Sequence, residues 1–223
     1  MLIVVSATRL PAAEFAVCPL GQSLQRMSFD PELQLGLIER NSQGLPKGYN
    51  QFIVEGLRQH ELAFVHDDVW IDDIYFPRRI REALQTFDVV GLAGNRRLVP
   101  GSPSWYVKNS MMEMDTEFLS GVVAHGEKPF GAPSVYGPTP APVHLLDGVV
   151  LAARVSTLLD AGVRFDERFD FHFYDMDFSR QAVAAGLKVG TWPVAVTHAS
   201  GGAFGTEAWR EGMDLYLDKW GRI

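Results

Sequence analysis

Short, largely apolar runs at residues 2–5, 33–38, 62–65 and 88–94 recur between stretches with helical spacing, and this alternation constrains the chain more than any other feature. A strand that is apolar at consecutive positions, rather than at every second one, needs cover on both faces, as in a sheet sandwiched between helices. Ile80, Leu84 and Phe87 repeat at helical spacing. Phe52, Ile53 and Leu57 suit one face of another helix after the turn residues Gly44-Leu45-Pro46-Lys47-Gly48-Tyr49-Asn50. The pattern predicts an α/β chain with a mostly parallel central sheet flanked by helices.

Residues 95–142 interrupt the alternation with Pro, Gly and Ser and carry Trp105 and Tyr106, with a short strand pair expected near 122–125. A long irregular stretch inside a compact domain is characteristic of a lid or binding loop. Regular spacing resumes with a strand at 144–153 and a short helix through Leu158 and Leu159 that Gly162 ends. A helix at 175–185 stopped by Gly186, extended segments at 187–192 and 194–197, and an amphipathic helix at 209–220 follow. No repeat or linker divides these elements, so 1–223 reads as a single domain. Its 223 residues, 47% hydrophobic, suit one core.

A net charge of −7 argues against a sequence-independent grip on nucleic acid, which needs a basic surface. Cys18 is the single cysteine, so neither an intrachain disulfide nor a cysteine-rich metal site is expected. The apolar start at residues 1–5 is too short for a signal-peptide core, and no stretch approaches the roughly 18 apolar residues of a membrane span. The expectation is a cytoplasmic protein without an integral membrane segment.

The apolar run at 62–65 ends abruptly in His66-Asp67-Asp68. Carboxylates at the tip of a buried strand need a cation or a dense set of donors, although either Asp also suits a helix cap. A second late imidazole, His198, follows the apolar Val194-Ala195-Val196 and precedes Ser200-Gly201-Gly202, a bend that lets backbone approach a ligand. Oxygen ligands suit Mg²⁺ or Mn²⁺, and an added imidazole tilts the choice toward Mn²⁺. With so few protein ligands, phosphate oxygens and water would complete the coordination sphere. Lys47 and Asn50, at a helix start, are candidates for holding an anion. Residues 44–50 match neither the P-loop nor the dinucleotide fingerprint.

A second acidic cluster is Tyr174-Asp175-Met176-Asp177. Asp175, at a helix start among aromatic residues, is a candidate general base or a cap, whereas Asp177 reads as a loop-orienting or capping residue. Trp105 is a candidate sugar-stacking platform; Tyr106 and Trp192 read equally well as core. His60, His125, His144 and His172 carry no functional signal.

Taken in order, Asn41 with residues 44–50, Phe64-Val65-His66-Asp67-Asp68-Val69, Leu146-Asp147-Gly148, residues 164–178 and Thr197-His198-Ala199-Ser200-Gly201-Gly202 resemble a family 2-type glycosyltransferase of the GT-A fold, in its small bacterial group. The resemblance implies a single Rossmann-like GT-A domain that transfers a sugar from a nucleoside-diphosphate sugar to an acceptor hydroxyl, with a divalent metal and inversion. It puts Asp68 at the last carboxylate of the family's DxD motif and on the metal with His198, and His66 at the motif's first position. Lys47, Asn50, His66, Asp67, Asp147 and Gly148 fall on the donor side, Asp175 becomes the base, and Trp105 and Tyr174 face a glycan, lipid-linked or small-molecule acceptor. The chain departs from the pattern twice, with His66 for an aspartate and Tyr174 for the acidic residue before the base. A sugar-phosphate nucleotidyltransferase and a non-catalytic sugar- or nucleotide-binding module are the alternatives; Val5-Ser6-Ala7-Thr8-Arg9 lacks the Gly-rich basic loop expected of the former.

Overall fold

The computed structural model describes residues 1–109, 111–200 and 204–221; Gly201 and Gly202 of the expected bend lie outside the described residues. Its strands are β1 (Leu2–Ala7), β2 (Leu33–Ile38), β3 (Glu61–Val65), β4 (Val69–Ile71), β5 (Val89–Gly91), β6 (Ala93–Asn95), β7 (Leu119–His125), β8 (Ala132–Gly137), β9 (Ala141–Pro142), β10 (Leu145–Leu146), β11 (Val150–Arg154), β12 (Val189–Thr191) and β13 (Val196–His198). The helices are α1 (Ala12–Phe15), α2 (Pro19–Arg26), α3 (Leu45–Tyr49), α4 (Phe76–Thr86), α5 (Val155–Ala161), α6 (Tyr174–Ala184) and α7 (Glu207–Trp220).

Strand β3 is the pivot. Leu62, Ala63, Phe64 and Val65 are each at most 1% exposed, as a run apolar at every position requires. It pairs parallel with β1, Val4 opposite Ala63, and antiparallel with β11, Val65 opposite Val150. The sheet order is β2-β1-β3-β11-β5-β12-β9. This sheet is mixed rather than mostly parallel: β3/β11, β11/β5 and β12/β9 are antiparallel. The reason is where the chain re-enters. Strand β11 starts beside the end of β3, and a strand that begins where its neighbour ends must run the other way.

A second sheet, β10-β6-β7-β13-β4 with β8 beside β7, abuts the first. The expected strand at 88–94 breaks at Leu92 into β5 and β6, one in each sheet. Gly121 makes the crossing possible: at φ +105° it holds a conformation L-residues avoid, and a Cβ there would lie 2.0 Å from the Leu92 carbonyl oxygen. Much of the expected loop at 95–142 is ordered, since β7 and β8 form an antiparallel pair over Val122–His125 and its partners. The expected helix through Phe52, Ile53 and Leu57 is instead two single 3₁₀ turns. Arg164 donates to the carbonyls of Asn50 at 2.8 Å and Ile53 at 2.7 Å, diverting acceptors that a continuing helix would use. Among the described residues no helix is long and apolar enough to cross a membrane.

Candidate active site

The cleft lies where β3 ends, β11 begins and α6 starts. Its volume is about 300 Å³, and its walls include His66, Trp105, Asp147, Gly148, Tyr174, Asp175 and His198. Helix α6 starts from Phe173, a buried residue at φ +65°, a left-handed conformation uncommon outside glycine. That turn aims the next two side chains at the Asp147-Gly148-Val149 turn. Asp175 accepts from the Gly148 N–H at 2.8 Å and the Met176 N–H at 2.9 Å. Burial and the nearby carboxylate of Asp147 push Asp175 up to about 7, against the pull of those N–H donors. Asp147 accepts from the Trp105 indole N–H at 2.7 Å and from the Val149 N–H at 2.9 Å.

Gly148 is small of necessity. A Cβ at this position would sit 2.4 Å from the Tyr174 hydroxyl oxygen and 3.1 Å from Asp175 Cβ. Gly148→Ala is therefore expected to destabilise the fold by about 1–3 kcal/mol, the usual cost of overpacking a tight site. Urea unfolding of the variant reads this as a lowered midpoint; an unchanged midpoint would mean that Tyr174 moves aside freely.

The imidazole of His198 reaches Asp68 through strand pairing. Strands β13 and β4 run antiparallel with His198 opposite Val69, and His198 Nε2 lies 3.2 Å from Asp68 Oδ1. Burial disfavours the charge on Asp68, but His198 outweighs it and holds the carboxyl below its ordinary value; burial likewise opposes the proton on His198, and Asp68 prevails to raise it. Asp68 Oδ1 is buried, and no hydrogen-bond donor is well aligned with it. Burial, with His198 nearby, lowers His66. His66, Asp68 and His198 each present a ligand atom within 4.8 Å of the others. Two imidazoles and a carboxylate with an orphaned oxygen fit a divalent cation such as Mn²⁺.

Other sequence candidates are elsewhere. Asn50 is buried, its oxygen accepting from the Phe165 N–H at 3.0 Å and its amide donating to the Phe165 carbonyl and Glu167, both at 2.9 Å; it secures the core and does not line the cleft. Lys47 is exposed on five-residue α3, whose leading N–H, from Leu45, already donates to the Asp170 carbonyl at 2.8 Å. Of the N–H groups at this helix start, that of Leu45 is thus taken by the chain itself, and Pro46 has none. Asp67 turns from the cleft and accepts from the Thr8 hydroxyl at 2.5 Å, at the end of β1. Trp192 packs edge-on against Phe87, 6.4 Å between ring centres.

Trp105 is held by groups the sequence did not single out. The Asn95 amide donates to the Trp105 carbonyl at 2.9 Å and to Asp115 at 3.0 Å, and Arg97 grips Asp115 at 2.6 and 2.9 Å. Tyr136 meets the Trp105 ring edge-on at 5.0 Å. Cleft residues missed by sequence reasoning include His125, Tyr136, Phe171, Phe204 and Trp209. His125 ends β7, an apolar strand, which is the same signal that marked His66 and His198.

No family model matches the chain, and no curated protein matches it by sequence. Solved structures do match. The fragment 1–349 of S. aureus TarS has a TM-score of 0.53 at 15% identity, covering 98% of this chain and 64% of that one, so this chain spans less than two thirds of the fragment's length. The same fragment in complex with UDP gives 0.47 at 14% identity, covering 89% and 60%. A197 from STIV gives 0.45 at 10% identity, covering 85% and 80%. Likeness to the TarS fragment shows a shared Rossmann-like α/β fold, and at this identity it speaks for fold alone.

Proposed function

We propose that this cleft transfers a sugar from a nucleoside-diphosphate sugar to an acceptor hydroxyl, with inversion, and that His66, Asp68 and His198 hold a divalent cation, Mn²⁺ or Mg²⁺. One observation carries the reading: Asp175, whose affinity for a proton is raised to about 7, lines the same cleft as His66 and His198. The fold held in common with the TarS fragment and the ordered segments from Gly44 to His198 support it.

On this reading Asp175 accepts the proton of the acceptor hydroxyl while that oxygen bonds to the anomeric carbon and the bond to the diphosphate breaks, its electron pair leaving with the nucleoside diphosphate. A bound cation supplies neutralisation of charge on that diphosphate. Asp147 raises the basicity of Asp175 and holds Trp105, whose ring edges the acceptor side together with Tyr174. Gly148 lets the donor sugar approach the backbone, and Asp67, beside Thr8, belongs to the nucleoside end.

Nucleotide sugars screened for Mn²⁺-dependent thermal stabilisation test this. A donor at a hundredfold its Kd adds about 2.7 kcal/mol, which for a domain of this size raises Tm by roughly 5–10 °C. Release of nucleoside diphosphate on adding acceptor then reports turnover. If no nucleotide sugar shifts Tm with or without Mn²⁺, the reading fails. Binding without any turnover or slow hydrolysis favours the non-catalytic module, and pyrophosphate release from sugar phosphate and NTP the nucleotidyltransferase.

A further inference from the structure

We propose that Tyr174 is a positioning residue that fixes the ring tautomer of His66, so that this imidazole offers Nδ1 to the cation site. The inference rests on the cation reading above and adds a device to it. The Tyr174 hydroxyl oxygen lies 2.8 Å from His66 Nε2 and 3.1 Å from the Gly148 carbonyl oxygen. A phenol has one proton, and a carbonyl can only accept. Both contacts are satisfied in one arrangement: the hydroxyl donates to Gly148, and His66 donates from Nε2–H to the hydroxyl oxygen. If the hydroxyl donated to Nε2 instead, two oxygens would face each other and the Gly148 carbonyl would lose this donor, with Tyr174 only 2% exposed.

A neutral imidazole with its proton on Nε2 has its lone pair on Nδ1, the atom left for a metal. Metal-bound histidines characteristically donate their other ring N–H to a fixed partner, and a phenol locked by a carbonyl is such a partner. The surroundings hold both rings. Tyr174 packs against Tyr49 at 6.0 Å and Phe165 at 5.9 Å, and Phe171 stacks on His66 at 5.7 Å. His66 and Tyr174 are also the two positions at which the chain departs from the glycosyltransferase pattern. They touch although they stand 108 positions apart in sequence.

Ring-¹⁵N NMR of histidine-labelled, metal-free protein reads the tautomer directly, and Mn²⁺ titration followed by EPR reads the affinity. Wild type is expected to carry the His66 proton on Nε2. Tyr174→Phe should give a mixture of tautomers and weaken Mn²⁺ about 10–100-fold, the range typical of losing an outer partner of a ligand. In a His66→Gln background, where no tautomer remains to be fixed, adding Tyr174→Phe should change Mn²⁺ affinity by less than about threefold, the non-additivity expected when one residue acts only through the other. A proton on Nδ1 in wild type overturns the proposal, and this outcome needs no variant to fold. So does a Tyr174→Phe protein with wild-type tautomer and wild-type Mn²⁺ affinity. If Tyr174 controls the tautomer but wild type binds neither Mn²⁺ nor Mg²⁺, the cation part of the functional reading falls, while the hold of Tyr174 on the ring stands.

Discussion

Asp175→Asn is expected to slow sugar transfer by at least about 10²-fold, the contribution typical of a positioned general base, with Mn²⁺ affinity unchanged. The amide has the shape of the carboxylate and no lone pair basic enough to take the acceptor proton. Turnover of the wild type should rise with pH through about 7, as Asp175 loses its proton, and the residual rate of the variant should lack that limb. The stability linkage has the opposite sense. Because the folded-state pKa is raised from 3.8 to about 7, the contribution of Asp175 to stability is full below about pH 4 and is lost as pH rises past 7. The stability of the variant relative to wild type should therefore increase across that window, by at most about 4 kcal/mol at 1.36 kcal/mol per unit. Urea unfolding at pH 4.5 and at about pH 8 measures the difference; a flat difference together with wild-type turnover would remove Asp175 from the chemistry.

Local signals carried the elements that are built locally. Strand β2 spans 33–38, where the apolar run put it, and α5 ends at Gly162 in the left-handed conformation, at φ +66°, that the glycine stop implied. What the sequence could not express was pairing between distant segments. The sense of β11 depends on its starting beside the end of β3, which no periodicity records. The anion site expected at Lys47 and Asn50 assumed free helix-start N–H groups and a free amide, whereas the Leu45 N–H is committed to Asp170 and the Asn50 side chain to Phe165 and Glu167, more than a hundred positions away. Conversely, His66 and Asp68 stood out as polar residues ending an apolar run, because burying such groups has a cost that sequence alone exposes. The hydroxyl that holds His66 gave no such sign, since a tyrosine among phenylalanines reads as core.

Asp177→Ala is expected to destabilise the protein by about 3 kcal/mol, the low end for breaking a buried ion pair, and to lower Tm by roughly 6–12 °C in a domain of this size. Asp177 is completely buried, accepts from the Trp220 indole N–H at 2.7 Å and from Gln181 at 2.7 Å, and pairs with Lys219 at 2.8 Å. Its loss strands the indole donor, whereas the Gln181 amide keeps the Arg164 carbonyl at 3.1 Å and Lys219 keeps Asp166 at 2.7 Å, which is why the low end applies. The bonds to Trp220 and Lys219 dock α7, and α7 in turn packs Trp209 and Tyr216 onto Phe173, at 5.4 and 5.5 Å between ring centres. A left-handed phenylalanine costs on the order of 1–3 kcal/mol and persists only while its neighbours hold it. Loosening α7 should release that turn and misalign Tyr174 and Asp175, so transfer should fall at temperatures where circular dichroism still reports a folded chain. A Tm within about 2 °C of wild type, less than one kcal/mol on this scale, would show that α7 is docked by its aromatic face alone.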